Sequence, residues 1–246
     1  MKRYSLLLGA TALALAPAAA MAERGSSGHL NIIYWQAPST LNPYLSGGTK
    51  EVESSSLILE SMARFDETGM MVPWLAESIP TVDNGGVSAD LTSITWTIAD
   101  GVTWSDGSAL TSADFVFTWT YCTHPEGGCA QAGYFDGVTS VDAVDARTVR
   151  VNFAESTPFP YTAFVGSESP VIQAAQFAEC LGARAPECTD ANFGPIGTGP
   201  FKVDEFRPND VIELSANPNF RFPDRPYFAT VTFKGGGDAT SAARSV

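Results

Sequence analysis

The stretch Ala99–Phe117, ADGVTWSDGSALTSADFVF, holds two Asp-Gly pairs and the start of a helix in one short span. Its acids are either a catalytic set or scaffold chemistry, and that choice decides what the chain can be. Asp100-Gly101 and Asp106-Gly107 are turn dipeptides, because Gly accepts positive φ and Asp bonds its own local backbone. Thr111-Ser-Ala-Asp114 is a variant capping box. The Thr hydroxyl can accept a helix N–H, and the acid sits at the positive helix end. Phe115, Val116 and Trp119 then supply an apolar stripe. Every acid in the stretch thus has a structural task. The rival reading, paired carboxylates for glycoside hydrolysis, needs two acids at a cleft and finds no other support in the sequence.

Outward from this corner the pattern is mixed α/β. Leu30–Trp35 reads as a buried strand, and Gln36–Thr49 as a loop rich in Pro, Ser and Gly. From about Glu51 to Ala63, Val52, Leu59, Met62 and Ala63 fall on one helical face. Ile94–Ile98 alternates with period two, as do Val149, Val151 and Phe153, so both are half-buried strands. Val138, Val141 and Val144 precede the second of these, and Asp145-Ala146 suggests a hairpin. Phe201–Phe206, Val211–Leu214 and Val231–Lys234 read as further strands. Gly235–Gly237 is a connector, and Asp238 is an N-cap for a terminal helix 239–246. Trp35, Trp96, Trp104 and Trp119 are read as packing residues in preference to a sugar-stacking platform. No internal repeat is found.

The N-terminus has the order of an export signal. Lys2 and Arg3 precede an apolar run from Leu6 to Ala16, and Ala20-Met21-Ala22 has the small-x-small form of a cleavage site. The reading is a signal peptide over 1–22, cleaved after Ala22, and a periplasmic address; the alternative is an uncleaved amphipathic tail. No later segment has about 18 uninterrupted apolar residues, so a membrane-embedded chain is not expected. Formal net charge is −13, and it becomes two units more negative without Lys2 and Arg3. That argues against nucleic acid or an anionic membrane surface as partner.

The four cysteines form two close pairs, Cys122 with Cys129 and Cys180 with Cys188. In an oxidising compartment each pair can close a short loop. A zinc site is the rival, but His29 and His124 do not complete a ligand set and there is no CxxC unit. Spacing alone does not fix the connectivity. Neither a Gly-x-Ser-x-Gly elbow, a His-Glu-x-x-His helix, a phosphate loop nor a dinucleotide fingerprint is found. The expectation is no enzyme and no cofactor.

Several stretches resemble one family. They are YWQAPSTLNPYL (34–45), MVPWLAES (71–78), TWTIADGVTWSDGSALTSADFVFTW (95–119), PIGTGPFKVDEF (195–206) and ELSANPNF (213–220). Together, in this order, they resemble the extracellular solute-binding proteins of family 5, the peptide-binding components of ABC importers. The resemblance implies the first lobe of a two-lobed α/β binding protein, with the second lobe missing, as in a truncated product. It implies a base domain from 28–65 and 190–246 and an inserted domain over 66–189. It implies a monomer that closes over a peptide and delivers it to permease subunits, with nickel chelates, oligosaccharides and opines as other ligands of the family. It points to Leu45, Ser46, Gly47 and Gly48 as cleft-facing backbone, with a plain surface loop as the alternative. Tyr134 lies near a cleft tyrosine of the family, with buried packing as its alternative, and Thr198 is a third candidate contact, with a structural role for the tight Gly197–Pro200 backbone as its alternative. The other functional readings are a lone-lobe remnant or interaction module without solute binding, and an exported hydrolase.

Overall fold

The computed structural model describes residues 23–235. The signal segment and the helix expected over 239–246 lie outside the described residues.

A four-stranded mixed sheet runs in the order β1-β9-β8-β7, from β1 (His29–Tyr34), β7 (Phe201–Arg207), β8 (Val211–Ala216) and β9 (Thr230–Gly235). β1 lies parallel to β9, with Leu30 opposite Val231 and Ile32 opposite Phe233. The β7–β8 and β8–β9 pairs are antiparallel. Strand alternation places Ile212, Leu214, Val231 and Phe233 on one face, where they pack with Leu41, Ile58 and Phe201 in a separate small core. A second, antiparallel sheet has the order β4-β6-β5, from β4 (Ser93–Thr97), β5 (Val138–Ala143) and β6 (Thr148–Phe153). Trp96 pairs with Val149 and Ile94 with Val151, and all four are buried in the larger core. A short hairpin joins β2 (Ala63–Phe65) to β3 (Met71–Pro73). Every expected strand is present within a residue or two.

The corner that opened the sequence reading is scaffold throughout. Asp106 Oδ1 accepts the Ser108 N–H at 2.9 Å and the Ser108 hydroxyl at 2.6 Å, and Oδ2 accepts Gln173 Nε2 at 2.9 Å. Gly107 has φ +89°, as the turn requires. α2 (Ser112–Thr123) begins where the capping box predicts. Asp114 Oδ2 accepts the Thr111 N–H at 2.9 Å, and its other oxygen accepts the Ala174 N–H at 2.9 Å, fixing α2 to α3 (Ala174–Phe177). Asp100 forms an exposed ion pair with Arg147.

Three expectations are corrected. The helix placed at 51–63 is α1 (Thr49–Ser55) and stops there. The next residues give their backbone to distant partners: Gly199 N–H donates to Ile58 C=O at 2.8 Å, Val171 N–H to Glu60 C=O at 2.8 Å, and Met62 N–H to Phe164 C=O at 2.8 Å. Hydroxyls of Ser54, Ser55 and Ser56 also bond back to carbonyls three residues earlier, which competes with helix continuation. Secondly, the stripe on α2 is Phe115, Thr118, Tyr121 and Cys122, with Val116 and Trp119 half-buried at its rim. Thirdly, Trp35 is 58% exposed, unlike the fully buried Trp96 and Trp104. The cysteine pairing holds: disulfides join Cys122 to Cys129 and Cys180 to Cys188, consuming all four thiols. The zinc alternative therefore has no sulfur ligands.

Candidate functional site

A groove of about 760 Å³ opens on the molecule, lined by parts of 56–65 and 159–168 together with Trp74, Tyr134 and Pro200. Its aromatic lining includes Phe65 and Phe159, which are 51% and 57% exposed. Large apolar side chains left in solvent beside a concavity mark a contact surface more than a folding need.

The groove has a charged floor. Glu60 is 4% exposed and lies where the chain leaves α1. Its Oε2 accepts Arg221 Nη1 at 2.7 Å and the Thr198 hydroxyl at 2.8 Å. Its Oε1 accepts the Trp74 indole N–H. Burial pushes the Glu60 carboxyl above the usual carboxylate range, against the opposing pull of Arg221, Thr198 and Trp74. Arg221 also stacks near Trp74, Phe220 and Phe222, with its guanidinium carbon 4.8, 5.0 and 4.8 Å from their ring centroids. Arg64 covers Trp74 at 3.1 Å.

The floor exists because two glycines let the chain come close. A Cβ at Gly197 would lie 1.9 Å from the Ile58 carbonyl oxygen, and one at Gly199 would lie 2.6 Å from it. Only glycine permits that approach, and the approach brings Thr198 under Glu60.

The sequence candidates separate. Tyr134 lines the groove, half-buried; burial and the nearby Glu168 carboxylate raise its phenol pKa. Thr198 is 1% exposed with its hydroxyl spent on Glu60, so it supports the floor from behind. Leu45, Ser46, Gly47 and Gly48 do not line the groove. Leu45 packs on the larger core, and the Ser46 hydroxyl accepts the Gly48 N–H at 3.2 Å. Their loop is tethered by buried Glu51, whose Oε1 accepts the Ser39 N–H at 2.9 Å.

Sequence reasoning passed over Glu60, Arg64, Trp74, Glu168 and Arg221. One signal was present. Glu60 and Arg64 are charged residues inside the apolar run LILESMARF (57–65), where the expected helix over 51–63 assigns Glu60 to its polar side.

A mixed sheet and an antiparallel sheet thus carry an aromatic groove over a buried Glu60–Arg221 pair, in an α/β architecture. The chain belongs to the family described as "Bacterial extracellular solute-binding proteins, family 5 Middle", whose profile matches residues 70–246. Protein XP55 of Streptomyces lividans is 27% identical over 229 residues, covering 91% of this chain and 38% of that protein. The oligopeptide-binding protein AppA of Bacillus subtilis, solved with a nonapeptide, superposes with a TM-score of 0.76 at 25% identity, covering 91% of this chain and 42% of AppA. AgaA from A. tumefaciens R10, solved with agropinic acid, gives a TM-score of 0.76 at 21% identity over 89% of this chain and 42% of AgaA. The chain thus spans about two fifths of the length of these proteins.

Proposed function

We propose that this chain contributes one lobe to a periplasmic solute-binding protein, exported by a signal peptide cleaved after Ala22, that captures a peptide or similar small solute and presents it to ABC permease subunits. Residues 28–65 and 190–246 form its base domain and 66–189 its inserted domain. The observation that carries the reading is the groove, whose exposed Phe65 and Phe159 stand over the Glu60–Arg221–Trp74 floor. Family membership supports it, as do the ligands bound by AppA, a nonapeptide, and by AgaA, agropinic acid. Tyr134 is the contact we assign from the sequence candidates; Leu45–Gly48 are assigned to a rim that a second lobe would face. Solute is held without bond-breaking, since the acids best placed for chemistry in the corner 99–117 are bound to their own turns and caps.

A thermal-shift screen of the full gene product against peptide and opine libraries tests this. A solute that binds only the native state raises the melting temperature in a concentration-dependent way. Trp74→Ala should abolish that shift. Stabilisation that survives Trp74→Ala in a folded variant would move the site elsewhere.

A further inference from the structure

Two charges that line the groove, Arg64 and Glu168, have no ion-pair partner among the described residues. Glu60 and Arg221 neutralise each other at 2.7 Å, with side-chain exposures of 2% and 9%. Arg64 lines the groove, is exposed, and among the described residues donates no hydrogen bond and forms no ion pair. Yet it is not a free surface arginine. Its guanidinium carbon lies over Trp74, 3.1 Å from the ring centroid, and the Trp74 indole is itself pinned to Glu60. Stacking occupies the face of a guanidinium and leaves its in-plane donors open, in the fork geometry that matches a carboxylate. A flexible side chain has been pre-ordered with its donors unspent, which lowers the entropy lost on binding. Burial depresses the Arg64 pKa, with Arg221 and Arg225 adding to it and Glu60 and Glu67 opposing, and an added anion would act in the same direction as those two acids.

The groove also limits the size of that anion's charge. Glu168 lines it, accepts the Ser167 hydroxyl at 3.0 Å and forms no ion pair among the described residues. A dianion such as phosphate would meet that carboxylate with only one uncompensated guanidinium in its favour. A single carboxylate meets a better balance.

Resting on the reading of this groove as the solute site, we propose that Arg64, held over Trp74, receives one carboxylate of the bound solute. Two sources supply such a group: the free C-terminus of a peptide, or an acidic side chain on the solute.

The test is a titration of the ¹⁵N-labelled full chain, following the Arg64 Nε–H and Trp74 indole N–H signals, with three probes. They are trialanine as free acid, Ala-Glu-Ala amide and trialanine amide. The expected result is that the first or the second moves the Arg64 signal. Whichever does so identifies the source, and trialanine amide binds about ten- to a hundredfold more weakly, the range for losing a hydrogen bond to a charged group. Arg64→Gln should erase that difference. If this variant fails to fold, the comparison of free acid with amide on the unaltered chain still decides. Equal binding of all three probes at the Trp74 signal would overturn the carboxylate assignment and leave the groove reading standing. Inorganic phosphate outcompeting the free acid at Arg64 would also overturn it. No movement of either signal by any probe would overturn both.

Discussion

Two carboxylate sites, one at the corner 99–117 and one on the groove floor, are satisfied in opposite ways. In the corner 99–117, Asp114 takes its first donor from Thr111, three residues away, and Asp106 takes two from Ser108, two residues away. On the groove floor, Glu60 takes its donors from Trp74, Thr198 and Arg221, which are 14, 138 and 161 residues distant. The corner is secured first by the chain's own turns, with Gln173 and Ala174 supplying second donors that tie it to the rest of the lobe. The floor exists only when the whole lobe has closed around it. Acids bound locally are scaffold, while the acid assembled from afar sits where a ligand can reach its neighbours.

That contrast can be broken most forcefully at Arg221. Arg221→Leu leaves Glu60 buried without its cation, and should cost about 3–5 kcal/mol, the range for breaking a buried pair. Urea unfolding measures it, and Glu60→Leu combined with Arg221→Leu should recover much of the loss. Gly197→Ala attacks the same floor through the backbone. Its Cβ would meet the Ile58 carbonyl, and overpacking at a site that cannot relax should cost about 3 kcal/mol. Gly47→Ala is the internal control, because nothing stands within 4 Å of its Cβ position, and it should change stability by less than about 0.5 kcal/mol. In the corner, Asp114→Ala removes a helix cap and the tie to α3, and should cost about 1–2 kcal/mol.

The smallest effect is one of pH. Burial pushes Asp106 up, but hydrogen bonds from Ser108 and Gln173 outweigh it and hold the carboxyl below its usual range. A folded-state pKa below the unfolded one means the unfolded chain binds more protons in between. The stabilisation is therefore present above the ordinary Asp value of about 3.9 and lost as pH falls through the depressed one. The urea midpoint of the natural chain should fall more steeply between about pH 5 and pH 3 than that of Asp106→Asn. Equal slopes would show that the turn contributes nothing through its charge.

The same contrast explains what could be read in advance. Turns, caps and alternation are short-range, so the strands, the α2 start, the Asp-Gly turns and both disulfides were legible. The α1 boundary was not, because Ile58, Glu60 and Met62 give their backbone to residues more than a hundred positions away. The groove was legible only at Tyr134. Thr198 was found, but its role under Glu60 depends on a glycine contact that no local pattern encodes. Arg64 and Trp74 are four and fourteen residues from Glu60 and look unremarkable until the fold stacks them.

Hydrogen exchange, with and without the solute that most raises the melting temperature, separates the groove from the corner. Exchange should slow in 59–65 and 160–168, with 99–117 unchanged. Slowing confined to 99–117, or to 45–48 with the groove untouched, would contradict the groove assignment.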